Sequence, residues 1–332
     1  MKRILTLLTV ILALASCKGG IKKALLPSIS GKAGEVIIVI DKANWEGAVG
    51  TELRDTLASD CPYLPQREPL YTLINIPQSA FTSIFEIHRN IILVNINDSV
   101  TEPGVVYKTD VWARPQCVIV INAINSESAA QLVIDNKEKI ATTLEQAERD
   151  RVIANSKQYE ELSLAPIVKD MVGGSPHFPM GYSLKKKTKD FIWISYDTQI
   201  LQGILIYKYP VGEDENPLGL ESLISKRNEI LKENVPGMFE NTYMTTSSFG
   251  TPGLKYLRFR GRDFAEIRGL WEVENDYMGG PFVSHSFYSP DGQEIIVLDA
   301  FVYAPKYDKR QFLRQVESII YSFEWEKEKE KI

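Results

Sequence analysis

The amino-acid sequence predicts an α+β protein: an N-terminal α/β half, then a C-terminal antiparallel sheet flanked by helices. In residues 35–160, strand patterns alternate with helical patterns, which is typical of α/β units. In residues 161–325, strand patterns follow one another in runs, which is typical of antiparallel sheets. The chain has 332 residues, of which 44% are hydrophobic and 24% charged. This composition is that of a globular protein, and the length allows two domains of roughly 150 residues each.

The N-terminus has the pattern of a bacterial lipoprotein signal. Two basic residues precede the apolar run from Ile4 to Leu14, and small residues lead from there to Cys17. The run is too short to span a bilayer, so we expect residues 1–16 to be removed as a signal peptide and Cys17 to carry lipid. Residues 17–34 are rich in Gly and Lys and predict a flexible tether.

The α/β half follows from two alternating patterns. Short apolar runs such as Val36 to Ile40 predict buried strands, and apolar residues four apart, as from Trp45 to Leu57, predict one face of a helix. The predicted elements are a strand at 36–40, a helix around 45–57, a strand at 70–74, a short helix after Pro77, strands at 91–96 and 118–121, and one long or two shorter helices over 126–156.

The C-terminal half starts after the Gly-Gly-Ser-Pro segment at 173–176, which interrupts regular structure. A hairpin is predicted at 191–209, a helix at 220–231 ends before Pro236, and the turn at 289–292 joins the last two strands. The remaining predictions are strands at 243–246, 254–260, 265–273, 281–288 and 294–303, a final helix after Pro305, and a solvated charged tail at 326–332.

Cysteine and charge usage limit the function classes. Cys61 and Cys117 have two alternative readings: a disulfide formed in an oxidising compartment, or an inert core thiol at Cys117. The formal net charge of −5 argues against a nucleic-acid partner. Neither a metal-ligand spacing nor a serine-nucleophile or phosphate-loop motif is present, so we predict no metal and no cofactor and lean against an enzyme.

Several segments of the C-terminal half carry a family resemblance. They are Phe178-Pro-Met-Gly-Tyr182, Asp190-Phe-Ile-Trp-Ile194, and Arg268-Gly-Leu-Trp271 with Asn275-Asp-Tyr-Met-Gly-Gly-Pro-Phe282. With these segments the mature chain resembles the Bacteroidetes lipoprotein family called domain of unknown function 4837, and we expect the resemblance to cover nearly all of it. The order of elements in the second half weakly resembles Mog1/PsbP-type α/β sandwiches. The resemblance implies an envelope lipoprotein and transfers no activity.

Two groups of residues are candidate ligand-binding sites. Glu272, Glu274 and Asp276 lie near a Gly279-Gly280 turn, whose glycines would allow positive φ and close ligand approach. Such carboxylates could act as acid and base, although charge clusters of this kind are more often solvated loops. The second group is Arg258, Arg260 and Arg268, which we expect to form one strip on a strand face, able to hold an anion. A solvated face paired with Glu266 is the more common outcome.

Two further residues are singled out because they lie in apolar strands. Asp299 is a carboxylate within the run Ile295 to Val302, where it needs hydrogen-bond partners if it is buried. We favour a structural role for it over a place in a pocket. His285 is expected to be a hydrogen-bonded histidine of the sheet rather than a catalytic base or a metal ligand.

We therefore expect a lipid-anchored cell-envelope protein that is a non-enzymatic binding or assembly component. The alternatives are a hydrolase that uses the 272–281 loop and a small-anion-binding protein that uses the arginine strip. Its expected contacts are the membrane, through the N-terminal lipid, and an envelope protein partner. In Bacteroidetes, lipoproteins destined for the cell surface tend to have acidic residues after the cysteine. Here Lys18-Gly19-Gly20 follows Cys17. The expected location is the outer membrane, facing the periplasm.

Overall fold

The N-terminal half is built on one five-stranded sheet. The structure, a computed structural model, describes residues 25–326. The elements of this half are β1 (Glu35–Val39), α1 (Lys42–Glu46), α2 (Ala48–Leu57), β2 (Thr72–Ile76), a 3-10 turn (Gln78–Ala80), α3 (Ser83–Glu86), β3 (Asn90–Ile96), β4 (Gly104–Thr109), β5 (Cys117–Ala123) and α4 (Ser126–Gln158).

This first sheet has the strand order β2-β1-β3-β5-β4, with parallel pairing except for the antiparallel edge strand β4. Val36 and Ile38 pack in a cluster that includes residues of α2 and α4, whereas Ile37 and Val39 pack on the other face, near Phe81. Burial on both faces explains why β1 is a continuous apolar run rather than an alternating one.

The C-terminal half is built on an eight-stranded antiparallel sheet. This arrangement and the mixed first sheet confirm the predicted α+β class. The elements are α5 (Leu164–Val172), β6 (Gly174–Ser175), β7 (Ser183–Lys187), β8 (Phe191–Asp197), β9 (Leu201–Pro210), α6 (Leu220–Asn234), β10 (Met244–Thr246), β11 (Gly253–Phe259), β12 (Arg262–Val273), β13 (Gly279–Tyr288), β14 (Glu294–Tyr303), α7 (Arg310–Tyr321) and β15 (Glu324–Trp325).

Helices cover both faces of this second sheet. The strand order is β10-β12-β13-β14-β9-β8-β7, and β11 pairs with β12 beside β10. Val168 of α5 and Val316 of α7 belong to the cluster on one face, and Leu223 and Leu231 of α6 belong to the cluster on the other. The central strands are therefore buried on both sides.

A buried ion pair fixes α6 to the sheet. Arg227 of α6 donates from Nε to Asp299 Oδ2 at 2.6 Å and from Nη1 to Thr246 Oγ1 at 2.9 Å. Both charged side chains are nearly inaccessible to solvent, and the Arg227 guanidinium lies 3.8 Å from the Phe282 ring centroid. Asp299 thus has the structural role expected from its apolar surroundings.

Two helices join the halves through a second buried network. Glu317 of α7 accepts hydrogen bonds from Arg149 of α4 at 3.1 Å and from Arg268 of β12 at 2.6 Å. Arg268 also donates to Glu266 Oε1 at 2.7 Å. Burial opposes ionisation of Glu317, but the charges of Arg268 and Arg149 outweigh it and hold the pKa of Glu317 below its ordinary value.

The first turn of α7 provides another contact between the halves. Glu68, from the N-terminal half, accepts hydrogen bonds from the backbone N–H groups of Lys309 and Arg310 at 2.7 and 2.9 Å. A carboxylate at this end of a helix satisfies free N–H groups and interacts favourably with the helix dipole. The position of α7 therefore depends on a residue more than 240 positions earlier in the chain.

The structure departs from the expected elements in several places. Residues 28–34 were expected to be part of a flexible tether, but Pro27 and Ser30 accept backbone hydrogen bonds from Arg114 and Arg89 at 2.9 and 3.1 Å. The missed elements include β4, which has no fully buried residue, and α5, which contains Pro166 in its first turn. Cys17 and residues 327–332 of the predicted tail lie outside the described residues.

Replacing Glu317 by Gln is expected to lower the unfolding free energy by about 3 kcal/mol, because the buried guanidinium groups of Arg149 and Arg268 lose their shared counter-charge. Urea unfolding followed by circular dichroism measures the change. The control is Glu46→Gln in the exposed pair with Lys42, where the expected loss is under about 0.5 kcal/mol. Equal losses in the two variants would contradict the role given to Glu317.

Candidate functional site

Large apolar side chains are exposed around Trp271 in the C-terminal half. Met238, Phe239, Phe249 and Tyr277 are each at least 66% exposed, and we call these four the Met/aromatic patch. They lie on the loops between α6 and β10, β10 and β11, and β12 and β13, and these strands are neighbours in the sheet. Large apolar side chains exposed on neighbouring loops indicate a candidate interaction site.

Two pockets open within this region. The first has a volume of about 190 Å³ and an apolar lining that includes Trp193, Met244, Trp271, Met278 and Phe301. The second, of about 360 Å³, shares Trp271 and Met278 with it and also includes Phe249 and Tyr277. No basic side chain of the described residues lines either pocket, so the surface is apolar with acidic residues at its edge.

The three predicted carboxylates have different surroundings. Glu272 lines the second pocket and accepts hydrogen bonds from Ser247 Oγ at 2.6 Å and from the Ser248 N–H at 3.3 Å. Asp276 lines the same pocket and accepts from the Tyr277 N–H, whereas Glu274 is exposed outside it. Only two of the three residues therefore come together.

The glycines near these carboxylates have a packing role. Neither Gly279 nor Gly280 has positive φ, and the turn residue that does is Asn275, at 62°. A Cβ at position 280 would lie 2.1 Å from the Val302 carbonyl oxygen. The expected positive φ at these glycines is therefore wrong, although both line the second pocket. Gly280 is needed because its own backbone packs closely against Val302.

The predicted arginine strip does not form. Arg258 pairs with Asp263 in the strand register, whereas Arg268 pairs with Gly253, so the two arginines are far apart along the ladder and on opposite faces. Arg260 is in the hairpin turn, with φ of 47°, and contacts Asp150 at 3.3 Å. Strand register and the turn thus separate residues whose spacing in the sequence had predicted one face.

A cleft of about 550 Å³ lies between the two halves. One wall is formed by residues 61–63, a second by residues of α4 that include Glu145 and Arg149, and a third by β11. Glu266, Arg268 and Tyr321 complete it, so the buried network that joins the halves also contributes to the lining.

The titratable groups of this cleft hold one protonation state near neutral pH. Burial opposes ionisation of Glu266, but Arg268 and a hydrogen bond from His285 outweigh it and hold its pKa below the ordinary value. Burial raises the pKa of Tyr321 above its ordinary value and that of Cys61 to about 11. General acid–base catalysis is most efficient when the pKa lies near the working pH, and these groups do not meet that condition.

Cys61 and Cys117 are free thiols in the structure. Cys117 is buried in the core of the first sheet, in agreement with the core-thiol alternative, and burial raises its pKa to about 11. Cys61 lines the cleft. The disulfide alternative is therefore absent from this structure, and neither thiol has the depressed pKa of a reactive cysteine.

His285 is fully buried in the second sheet. Its Nε2 lies 3.2 Å from Glu266 Oε2, and its ring packs against Phe264 and Tyr321. Burial lowers its pKa from 6.5 to about 4, although Glu266 opposes this shift. The residue is a neutral histidine of the core at neutral pH, as expected.

Two features are absent from the described residues. Residues 25–326 contain no group of three or more His, Cys, Asp or Glu side chains arranged to hold a metal ion. No helix in this part of the chain is long and apolar enough to cross a membrane.

Comparison with known families confirms the resemblance found in the sequence. Residues 161–322 match the family described as Domain of unknown function (DUF4837). We had expected the resemblance to cover nearly the whole mature chain, but the match covers only the C-terminal half. Residues 29–157 match a different model, Domain of unknown function (DUF8532). The Met/aromatic patch therefore lies entirely within the DUF4837 region.

The similarity to solved structures is distant. A crystal structure from Bacteroides thetaiotaomicron VPI-5482 has 13% sequence identity and a TM-score of 0.27, covering 48% of this chain and 47% of that one. The lipid transfer and protein localization domain of human StarD13 (DLC2) has 7% identity and a TM-score of 0.22, covering 43% of this chain and 89% of that domain. The chain thus spans about half the length of the first of these proteins, and no curated protein matches it.

Sequence reasoning missed the Met/aromatic patch. Its residues lie on three loops, where no helical or strand period shows which way a side chain points. One signal was available: Met238-Phe239 and Tyr277-Met278 are large apolar pairs inside turn-rich segments. These pairs lie outside the core faces that periodicity predicts, so their side chains could have been interpreted as surface contacts.

Acidification is expected to destabilise the protein through His285. Its pKa is lower in the folded protein than in the unfolded chain, so between pH 6.5 and about 4 the unfolded chain binds the extra proton. The unfolding free energy should therefore fall by about 3 kcal/mol across this window and recover as the pH rises. Urea unfolding at pH values from 7 to 4 measures this slope.

The matched variants are His285→Gln, which should remove most of this slope, and His177→Gln, which should keep it because His177 is only partly buried. A slope that is the same in both variants would show that other groups cause the acid sensitivity.

Proposed function

We propose that this protein is a lipid-anchored component of the cell envelope that binds a partner protein and does not catalyse a reaction. The observation that carries the proposal is the exposed Met/aromatic patch, of which Met238, Phe249 and Tyr277 line the two pockets. Fully desolvated aromatic and methionine contacts dominate the binding energy of many interfaces. A patch of this composition is what a binding module needs.

The size and lining of the smaller pocket favour an apolar anchor. At about 190 Å³ it is close to the volume of about 150 Å³ that holds a benzene molecule in an apolar protein cavity. One aromatic or large aliphatic side chain of a partner would therefore fill it. The two pockets share Trp271 and Met278, so neighbouring side chains of one partner segment can occupy both.

The charges around the patch indicate the flanks of that segment. Glu240, Glu274 and Asp276 lie on the loops that carry the patch, and Glu272 lies near the end of β12. Neither pocket has a basic residue in its lining. Opposite charges at the rim of an interface favour the correct partner and its rate of association. The partner segment is accordingly one with apolar side chains flanked by Lys or Arg.

The geometry gives less support to a hydrolase. A pair of catalytic carboxylates requires one group that is buried enough to stay protonated near neutral pH. Glu272 accepts hydrogen bonds from Ser247 and Ser248, and Asp276 accepts one from an adjacent backbone N–H. Both residues thus resemble loop-stabilising carboxylates more than an acid and its base.

The Cys17→Ala variant is expected to lose its membrane association, because the lipid at Cys17 is the proposed anchor. Fractionation of cells followed by detection in membrane and soluble fractions measures it. Cys61→Ala, which removes a thiol far from the lipid signal in the sequence, is the control and should stay in the membrane fraction. Retention of the Cys17→Ala form on membranes would contradict lipid anchoring.

The patch is tested by a photo-crosslinking amino acid placed at Phe239 or Phe249 in intact cells. The expected result is the same crosslinked envelope protein at both positions and none at Ile84, an exposed apolar residue of the other half. The identified partner should then bind Phe239→Ala and Phe249→Ala about tenfold more weakly, the loss typical of an anchor truncation. Equal crosslinking at Ile84, or unchanged affinity in these variants, would contradict the proposal.

A further inference from the structure

Strand β11 has an unpaired edge. It pairs with β12 along its whole length, from Gly253 to Phe259. On the same side of β12, β10 pairs with residues 271–273, beyond the end of β11. Within residues 25–326, no backbone hydrogen bond joins residues 254–259 to any segment other than β12. In an antiparallel ladder, alternate residues direct both the N–H and the C=O away from the partner. These groups are therefore available to another strand.

This edge lies inside the cleft between the halves. Lys255, Leu257 and Phe259 point to one face of the sheet, whereas Leu254 and Arg258 point to the other, and all five line the cleft. Residues from both alternating sets can line one cleft only if it extends around the strand edge. The free edge thus faces a second wall, formed by Tyr63 and α4.

The charges of the cleft favour an acidic ligand. Arg149 and Arg268 are paired with the buried Glu317, and Arg268 is also paired with Glu266. The remaining charged residues of the lining are Lys255 and Arg258 against Glu145. Lys255 and Arg258 are exposed, and the contact of Arg258 with Asp263 is a 3.6 Å pair between two largely exposed side chains, which is weak. A ligand that approaches β11 therefore meets a positive edge.

We propose that this cleft is a peptide-binding groove in which an extended acidic segment of a partner protein adds to β11 as a further strand. Main-chain hydrogen bonds to the free edge would provide affinity, and Lys255 and Arg258 would select acidic side chains. Strand β11 also offers apolar contacts through the half-buried side chains of Leu257 and Phe259. The volume of about 550 Å³ is within the usual range of ligand sites.

The same charges argue against a second copy of this chain as the occupant. Two β11 edges paired with each other would bring Lys255 and Arg258 of one copy next to the same residues of the other, and like charges on paired strands are destabilising. The site is also independent of the Met/aromatic patch, since the two share no lining residue. The inference does not rest on the proposed function.

The test uses the full chain and a fluorescent Val-Glu hexapeptide, Val-Glu-Glu-Val-Glu-Glu, which places Glu on both faces of an added strand. Binding is measured by fluorescence anisotropy. We expect saturable binding of this peptide. Binding should be at least tenfold weaker for the Val-Lys hexapeptide, in which Lys replaces Glu, and for the Val-Glu hexapeptide whose alternate backbone nitrogens are methylated. Lys255→Glu and Arg258→Glu should each weaken binding about tenfold, whereas Lys42→Glu, an exposed charge reversal on the other half, should not. Hydrogen exchange should show protection of amides in 254–259 on binding.

Three outcomes would overturn the inference. One is no saturable binding of the Val-Glu peptide up to about 1 mM. Another is equal affinity for the methylated peptide, which would show that no strand forms. The third is dimerisation of the free chain that Arg258→Glu abolishes, which would assign the edge to a second copy. The Phe239→Ala variant should bind the peptide normally, so failure here is distinguishable from failure of the patch.

Discussion

The buried carboxylate of Glu317 is the contact on which the arrangement of the two halves depends. It lies on α7 and accepts from Arg149 of the long helix α4 and from Arg268 of the second sheet. Three elements from both halves thus share one desolvated charge. An ion pair of this kind stabilises little relative to apolar packing, but removing one member leaves the others uncompensated. The network therefore mainly fixes the positions of these three elements relative to one another.

The interhalf cleft is a consequence of that position. Arg268, Glu266 and Tyr321 contribute to the network and also line the cleft, while α4 and the loop at residues 61–63 form the facing walls. Since α7 is held at its first turn by Glu68, the C-terminal half cannot rotate away from the N-terminal half without breaking these bonds. The shape of the cleft is thus linked to the stability of the whole chain.

The Met/aromatic patch depends on different contacts. Trp271 donates from Nε1 to the Val302 carbonyl at 3.2 Å, which fixes the indole at the base of both pockets. Close approach of Gly280 to the same carbonyl brings the loop with Tyr277 beside it. The loops that carry the patch therefore extend from strands of a packed sheet.

The sequence by itself determined the α+β class, most strands and helices, and the surroundings of single residues. Arg227 was placed within the helix predicted at 220–231, and Asp299 in an apolar strand, because local periodicity reports secondary structure and burial. Only the tertiary structure decided that these two residues meet, that the arginine strip is split, and that the loop residues Phe249 and Tyr277 line one pocket. Strand register and loop packing depend on contacts between residues far apart in the chain, and periodicity within one segment contains no information on them.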